Sequence, residues 1–333
     1  MSESLLIHQP EALLGWAAAG AAPVEFSPMA EVKQLVVSLD ASTDENARDL
    51  GLWLTTLLCP VIGLGDAASA LAPYCDAIVT DEAEAEALTQ QVAANPVAAT
   101  TLVELLRLTE AMPVNEALRV ESLAYATLQA GAEYAGWLAG MARQPRPPAE
   151  QGPAVVLQRE DTAVEMILNR PGNRNAMSVE MRDALNEALQ TVLADPGIKS
   201  VRIAAAGKCF STGGDLSEFG TVPDAATGHI VRGLSVPGAL LARCAERVTA
   251  HVHGACIGSG VEFPAFAGHV TASSNAHFQL PEVGMGLIPG AGGCISIAQR
   301  IGRQRTAWLA LSGKRIKAKQ ALEWGLVDEI IDE

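Results

Sequence analysis

Twice in the second half of this 333-residue chain, a short apolar run is followed closely by a cluster of glycines. Residues 201–205 precede Gly213-Gly214, and residues 248–252 precede Gly254, Gly258 and Gly260. Short apolar runs of this kind read as buried strands, and glycines beyond their ends let backbone approach backbone, or a ligand, closely. Residues 154–157 and 163–168 read as paired strands joined across Arg159-Glu160-Asp161, residues 169–172 as a turn, and residues 270–273 as a further strand. Between them Ser178 opens a helix whose apolar residues, Met181, Leu185, Leu189, Val192 and Leu193, recur every three or four positions. Strands alternating with helices define an α/β layered fold.

Residues 142–153, ARQPRPPAEQGP, hold four prolines and almost no apolar side chains, so they read as a linker. Upstream of it, residues 35–39, 61–64 and 77–79 are strand-like. From Asp81 the pattern turns helical. Asp81, Glu82, Glu84 and Glu86 crowd the first turns, as the helix dipole favours, and are expected to form a solvated face. Leu102, Leu105, Leu106, Leu118, Leu123, Leu128 and Trp137 supply apolar faces beyond them.

Charge separates the two sides further. Residues 1–150 carry 6 Lys/Arg and 20 Asp/Glu, a net of −14 out of the total of −15. A polyanion meets repulsion almost everywhere on that half, which argues against a nucleic-acid partner; a small anionic ligand suits the second half better. The six cysteines have neither zinc-knuckle nor redox-pair spacing and read as buried thiols of a reducing compartment. Glu3 stands where a secretory signal has basic residues, and the uncharged stretch 50–65 is short for a membrane span and contains Pro60. A soluble, cytoplasmic protein without membrane partners is the expectation.

Four segments carry the candidate chemistry: NRPGNRNAMS (169–178), KCFSTGGDL (208–216), GACIGSGVEF (254–263) and FQLPEVGMGLIPGAGG (278–293). Two N–H groups freed at glycine turns and aimed at one point form an oxyanion hole. Glu262, just inside a helix, and Glu282, twenty residues later, could form a general acid/base pair if burial raises at least one pKa. Taken singly, each feature has a plainer reading: an ordinary turn, or a glutamate at a helix start. His251 and His253, two apart on a strand, read as satisfied or exposed histidines.

Together and in this order, the four segments resemble the crotonase, or enoyl-CoA hydratase/isomerase, superfamily from about residue 154 onward. NRPGNRNAMS is similar to its N-R-P-x-x-R-N-A-[LM]-[ST] opening, and FSTGGDL to F-[SA]-[AT]-G-x-D-[LI]. GACIGSGVEF is similar to G-x-[AC]-x-G-G-G-x-E, and LPEVGMGLIPGAGG to x-P-E-x-x-x-G-x-x-P-G-x-G-G. The resemblance implies a crotonase-like layered β-β-α core. It makes the backbone N–H groups of Gly214 and Ser259 the oxyanion hole for an acyl-CoA thioester, and Glu262 and Glu282 the catalytic carboxylates. Substrate or CoA contacts are implied at Asn175, Ala176, Gly213, Asp215, Leu216, Gly258 and Gly260.

Retention of both glutamates implies hydration of a 2-enoyl-CoA to a 3-hydroxyacyl-CoA through a thioester enolate. The alternatives are isomerisation, thioester hydrolysis, carbon–carbon cleavage, or acyl-CoA binding without turnover. Coenzyme A is then part of the substrate, no metal or redox cofactor is implied, and a homo-oligomer (trimer or hexamer) is expected. The chain departs from the pattern at Ser259, the middle of a usual glycine triplet, at Arg247 and Thr249, at His269 and at Cys294.

The family's helical C-terminal region has a counterpart in the first half. Residues 75–107 resemble its continuation beyond G-L-V-[DN], and residues 115–140 resemble its final amphipathic helices. The expected organisation is a degenerate crotonase-like remnant (1–80), a helical region (81–141) folding back on a core, a linker (142–153), and the catalytic core (154–333). Arg143 and Arg146 fall where terminal basic residues would meet CoA phosphates, or they are solvated linker charges.

Overall fold

The computed structural model describes residues 5–20, 23–40, 46–142, 148 and 150–331; Arg143 and Arg146 lie outside the described residues. Strands in chain order are β1 (Ile7–His8), β2 (Leu35–Ser38), β3 (Val61–Leu64), β4 (Ala77–Val79), β5 (Val155–Glu160), β6 (Ala163–Leu168), β7 (Ser200–Ala205), β8 (Val248–Val252), β9 (Ala255–Ile257), β10 (His269–Ala272), β11 (His277–Gln279), β12 (Ile316–Lys317) and β13 (Glu329–Ile330). They form three sheets, ordered β1-β2-β3-β4, β13-β10-β8-β7-β6-β5 and β12-β11-β9.

In the six-stranded sheet only β5 and β6 run antiparallel, joined at Glu160↔Ala163 by a two-residue turn in which Asp161 has φ +50°. A left-handed residue is what such a tight hairpin requires, and aspartate tolerates it. The helix after the turn at residues 171–173 runs from Val179 to Ala194; Ser178 caps it by accepting from the Met181 N–H. Its buried stripe, Met181, Leu185, Ala188, Leu189 and Val192, closes one face of the sheet.

The helices Glu82–Ala94, Pro96–Thr109, Val114–Gln129 and Ala132–Gly140 pack on the second half of the same chain. Leu88, Leu102 and Leu106 share one continuous apolar core with Ile295, Ile301 and Leu309, while Leu13, Leu50 and Leu54 belong to a smaller core on β2 and β3. Glu84 is not a purely solvated charge: its carboxylate accepts from the Trp308 indole N–H at 3.0 Å, so the acidic helix start helps dock the helix. His251 is a satisfied core histidine, with Nδ1 2.9 Å from Thr271 Oγ1 and Nε2 3.3 Å from Ser273 Oγ. All six cysteines are buried free thiols. Among the described residues, no helix is long and apolar enough to cross a membrane, and no cluster of three His, Cys, Asp or Glu could hold a metal ion.

Candidate active site

Two glycine turns meet at the edge of β9. The Ile257 N–H donates to Ser211 O at 3.1 Å and the Ser211 N–H to Ala255 O at 3.2 Å, which ties the segment after β7 alongside β9. Gly213 has φ +89°, and a Cβ there would come within 2.8 Å of Ile257 O. Gly258 has φ +51°, and a Cβ there would collide with the Glu282 carboxylate and lie 3.8 Å from Gly213 Cα. Only glycine permits both the left-handed backbone and this contact. The turns therefore touch, and Gly214 and Ser259, whose backbone N–H groups are the expected donors, are the next residue of each. Neither N–H has an acceptor among the described residues. Two free amide donors aimed at one point are what an oxyanion needs.

Glu262 closes the short helix Ser259–Glu262, whose every residue is buried. Its Oε2 accepts from the Ala291 N–H at 2.7 Å and the Gly293 N–H at 2.9 Å, both at the start of the helix Gly293–Ile301. Glu282 follows β11 and packs on Gly258; its Oε2 is buried with no hydrogen-bond partner among the described residues, and the same holds for Ser259 Oγ.

A third carboxylate enters from the first half of the chain. Glu121, on the helix Val114–Gln129, is buried, with Oε1 2.8 Å from Gly292 N and Oε2 3.0 Å from Cys294 N. Glu121 and Glu262 thus divide four successive amides, 292 and 294 to one, 291 and 293 to the other. A helix N-terminus suits two carboxylates, because its first N–H groups have no partner inside the helix.

Burial pushes the Glu262 carboxyl up to about 7, against the opposing pull of its two backbone donors. Burial, and then the charge of Glu262, hold Glu121 and Glu282 well above the usual carboxylate range. Three acids this close do not all ionise at neutral pH, so the site keeps at least one protonated carboxyl beside an ionisable one.

A raised carboxyl pKa has a thermodynamic signature. Below the unfolded value both states are protonated and nothing is lost; as pH rises through the folded value, the fold loses stability relative to the unfolded chain. We therefore expect Glu282→Gln to melt at a higher temperature than the native protein above pH 7, with the gap closing toward pH 5. Melting curves from pH 5 to 8 measure it, and a gap that widens on acidification contradicts it.

The remaining expected contacts are placed differently. Asn175 is fully enclosed: Oδ1 accepts from Arg170 N at 2.8 Å, and Nδ2 donates to Ala206 O at 2.8 Å and Cys209 O at 3.2 Å. Its side chain clasps the turn and cannot reach a ligand. Asp215 is likewise occupied, by the Ser217 N–H and hydroxyl and by Asn173 Nδ2. Ala176 is buried, and a Cβ on Gly260 would strike Ser211 O, so these two residues serve close packing. Leu216 faces open space. With Phe219, Gly220, Leu138 and Met141 it lines a cleft of about 770 Å³ between the segment after Gly214 and the helix Ala132–Gly140.

Sequence reasoning passed over Glu121, Tyr125 and Arg232. Glu121 had a signal: a lone acid four residues after Ala117, on the stripe that buries Ala117 and Leu128. Tyr125 is half-buried, with its ring against Gly290, and Arg232 stacks 4.4 Å over that ring.

Residues 158–333 match the family model for enoyl-CoA hydratase/isomerase. The 2,3-dehydroadipyl-CoA hydratase of Escherichia coli K12 is 31% identical over 176 residues, 53% of this chain and 68% of that protein. The mevalonyl-coenzyme A hydratase of Aspergillus fumigatus is 31% identical over 167 residues, 50% of this chain and 62% of that protein. The 1,2-epoxyphenylacetyl-CoA isomerase of Escherichia coli K12 is also 31% identical, over 52% of this chain and 68% of that protein. Among solved structures, an enoyl-CoA hydratase from Thermoplasma volcanium superposes with a TM-score of 0.50 at 30% identity, over 55% of this chain and 73% of that one. The core is that of a crotonase-fold enzyme. The chain belongs to the enoyl-CoA hydratase/isomerase family.

Proposed function

We propose that the protein hydrates a 2-enoyl-CoA to a 3-hydroxyacyl-CoA, with Glu262 and Glu282 as the catalytic pair and the N–H groups of Gly214 and Ser259 as the oxyanion hole. One observation carries this reading: two carboxylates with raised pKa values stand beside two amides that have no acceptor among the described residues. The thioester carbonyl oxygen accepts both amides, which draws charge onto it as the enolate forms. Glu262, oriented by two backbone donors through Oε2, takes a proton from water as its oxygen attacks C3. Glu282, whose Oε2 has no partner and whose carboxyl is held protonated, delivers a proton to C2. The resulting pair is restored when the proton passes between them, and water has been added across the double bond.

The cleft lined by Leu216 and Leu138 suits the pantetheine arm, because Phe219, which packs on Gly214, is part of its wall. Isomerisation uses the same enolate, and relatives of both kinds are found at equal identity. The second carboxylate favours hydration. Incubation with crotonyl-CoA tests the reading: loss of the conjugated-thioester absorbance with formation of 3-hydroxybutyryl-CoA supports it, and no turnover of this or any longer 2-enoyl-CoA refutes it.

We also propose that residues 82–140 are the family's helical end, supplied here from the first half, and that residues 1–80 are the remnant of a duplicated core. The parallel order β1-β2-β3-β4 parallels β7-β8-β10-β13, and the helices that follow β4 close the site. Glu121 then acts as a positioning residue for Glu262. Glutamine at 121 leaves one of the Gly292 and Cys294 N–H groups without its acceptor, so the turn that orients Glu262 loosens and kcat for crotonyl-CoA is expected to fall with KM little changed. A native kcat assigns Glu121 a packing role alone. A homo-oligomeric state, trimer or hexamer, belongs to the same proposal and is read by light scattering.

A further inference from the structure

Arg232 is a half-buried cation with no acid to pair with among the described residues. It lies on the helix Ala225–Leu234, which packs along the helix Val114–Gln129. Its Nε donates to Ser122 Oγ at 3.3 Å and its Nη1 to Gln129 Oε1 at 3.1 Å, while its guanidinium covers the Tyr125 ring. Ser122 Oγ is in turn 2.9 Å from His229 Nδ1. Nη2 is buried with no hydrogen-bond partner, and no carboxylate lies within ion-pair distance of Arg232 among the described residues. Burying a guanidinium N–H without an acceptor costs free energy, so the enclosed Nη2 is a place where a ligand oxygen would be favourable.

Position narrows the identity of that ligand. The Tyr125 ring beneath Arg232 packs on Gly290, the residue before the amide that holds Glu262. Tyr125 also feels the charges of Glu282 and Glu262, and Arg232 that of Glu121. Arg232 therefore stands on the carboxylate side of the reacting centre, away from the cleft at Leu216 and Gly220. A group there belongs to the far end of the acyl chain, not to the CoA phosphates.

We infer that the substrate is a 2-enoyl-CoA whose acyl chain ends in a carboxylate, and that Arg232 is the specificity-determining residue that receives it through Nη2. The inference rests on the acyl-CoA reading above. A guanidinium matches a carboxylate in charge and in donor geometry, and its stacking on Tyr125 fixes the plane from which Nη2 projects.

The test compares kcat/KM for a six-carbon trans-2-enoyl-CoA ending in a carboxylate with that for trans-2-hexenoyl-CoA, the neutral chain of equal length. The native enzyme is expected to favour the carboxylated substrate by about 10–100-fold, the range of one charge-assisted hydrogen bond. Arg232→Gln is expected to bring that ratio close to one, and Arg232→Lys to restore part of it. A native ratio near one overturns the inference. So does a ratio that survives in Arg232→Gln, or a variant that lowers both substrates equally, which makes Arg232 a counter-charge for the three glutamates. Binding of the saturated carboxylated acyl-CoA, measured by calorimetry, separates this inference from the hydratase reading. Arg232-dependent preference without turnover upholds the site and refutes the hydration, whereas turnover without preference does the reverse.

Discussion

Glu262→Gln and Glu282→Gln should each lower the turnover of a 2-enoyl-CoA by about 10²–10⁴-fold, the usual contribution of a positioned general acid or base. The argument is local. Both amides, of Ala291 and Gly293, donate to the one oxygen Oε2, so a glutamine oxygen at 262 can still accept them and the loop keeps its shape, but glutamine cannot take a proton from water. Glutamine at 282 keeps the bulk that fills the space beside Gly258 and cannot give a proton to C2. KM should change little in either variant, because the thioester is held by backbone amides that neither substitution touches. The double variant should be barely slower than the worse single one, since both carboxylates act in one proton circuit. Fully multiplicative losses would mean that the glutamates act in separate steps. An isomerase that needs a single carboxylate would keep substantial activity in one variant.

Asp76→Ala is expected to destabilise the fold by about 3–5 kcal/mol, the cost of stripping a buried cation of its counter-charge. Asp76 is wholly buried where the two halves of the chain meet. Its Oδ1 accepts from Arg107 Nε at 2.8 Å and from Arg303 Nη1 at 3.0 Å, and its Oδ2 accepts from Val61 N at 2.8 Å. Arg107 also donates to Leu57 O at 2.7 Å, and Arg303 to Pro73 O at 2.9 Å, so both guanidiniums are fixed in place and cannot swing to water when the carboxylate is gone. A loss of this size is a large share of the 5–15 kcal/mol that holds a typical domain together. Denaturant unfolding of the purified variant measures it. A loss below about 1 kcal/mol would show that the seam is held by the apolar contacts of Leu102, Leu106 and Leu309 alone.

The core of the site was legible in the sequence because its geometry is written into backbone constraints. Gly213 and Gly258 adopt left-handed conformations and touch one another, so glycine is nearly obligatory at both, and such residues leave a readable pattern. Glu262 and Glu282 stood out as acids inside apolar stretches. Strands such as β6 and β8 and the helix capped by Ser178 followed from periodicity and capping. What stayed hidden depends on docking. The Gly292 N–H donates to Glu121, 171 residues earlier in the chain, and no local pattern specifies which helix face meets that loop. Arg232 has the same origin, since its partners Ser122 and Gln129 lie on a helix more than a hundred residues away. Asn175 shows a second limit: the side chain at an expected contact position clasps a turn, because its amide satisfies three backbone groups at once.

The most direct test of the account is incubation of the protein with crotonyl-CoA in D₂O, with the product analysed by NMR. Hydration by the two carboxylates predicts 3-hydroxybutyryl-CoA carrying one deuterium at C2, formed stereospecifically and lost with either glutamine variant. Deuterium entering C4 without a hydroxyl at C3, or no product at all while crotonyl-CoA binds, would contradict it.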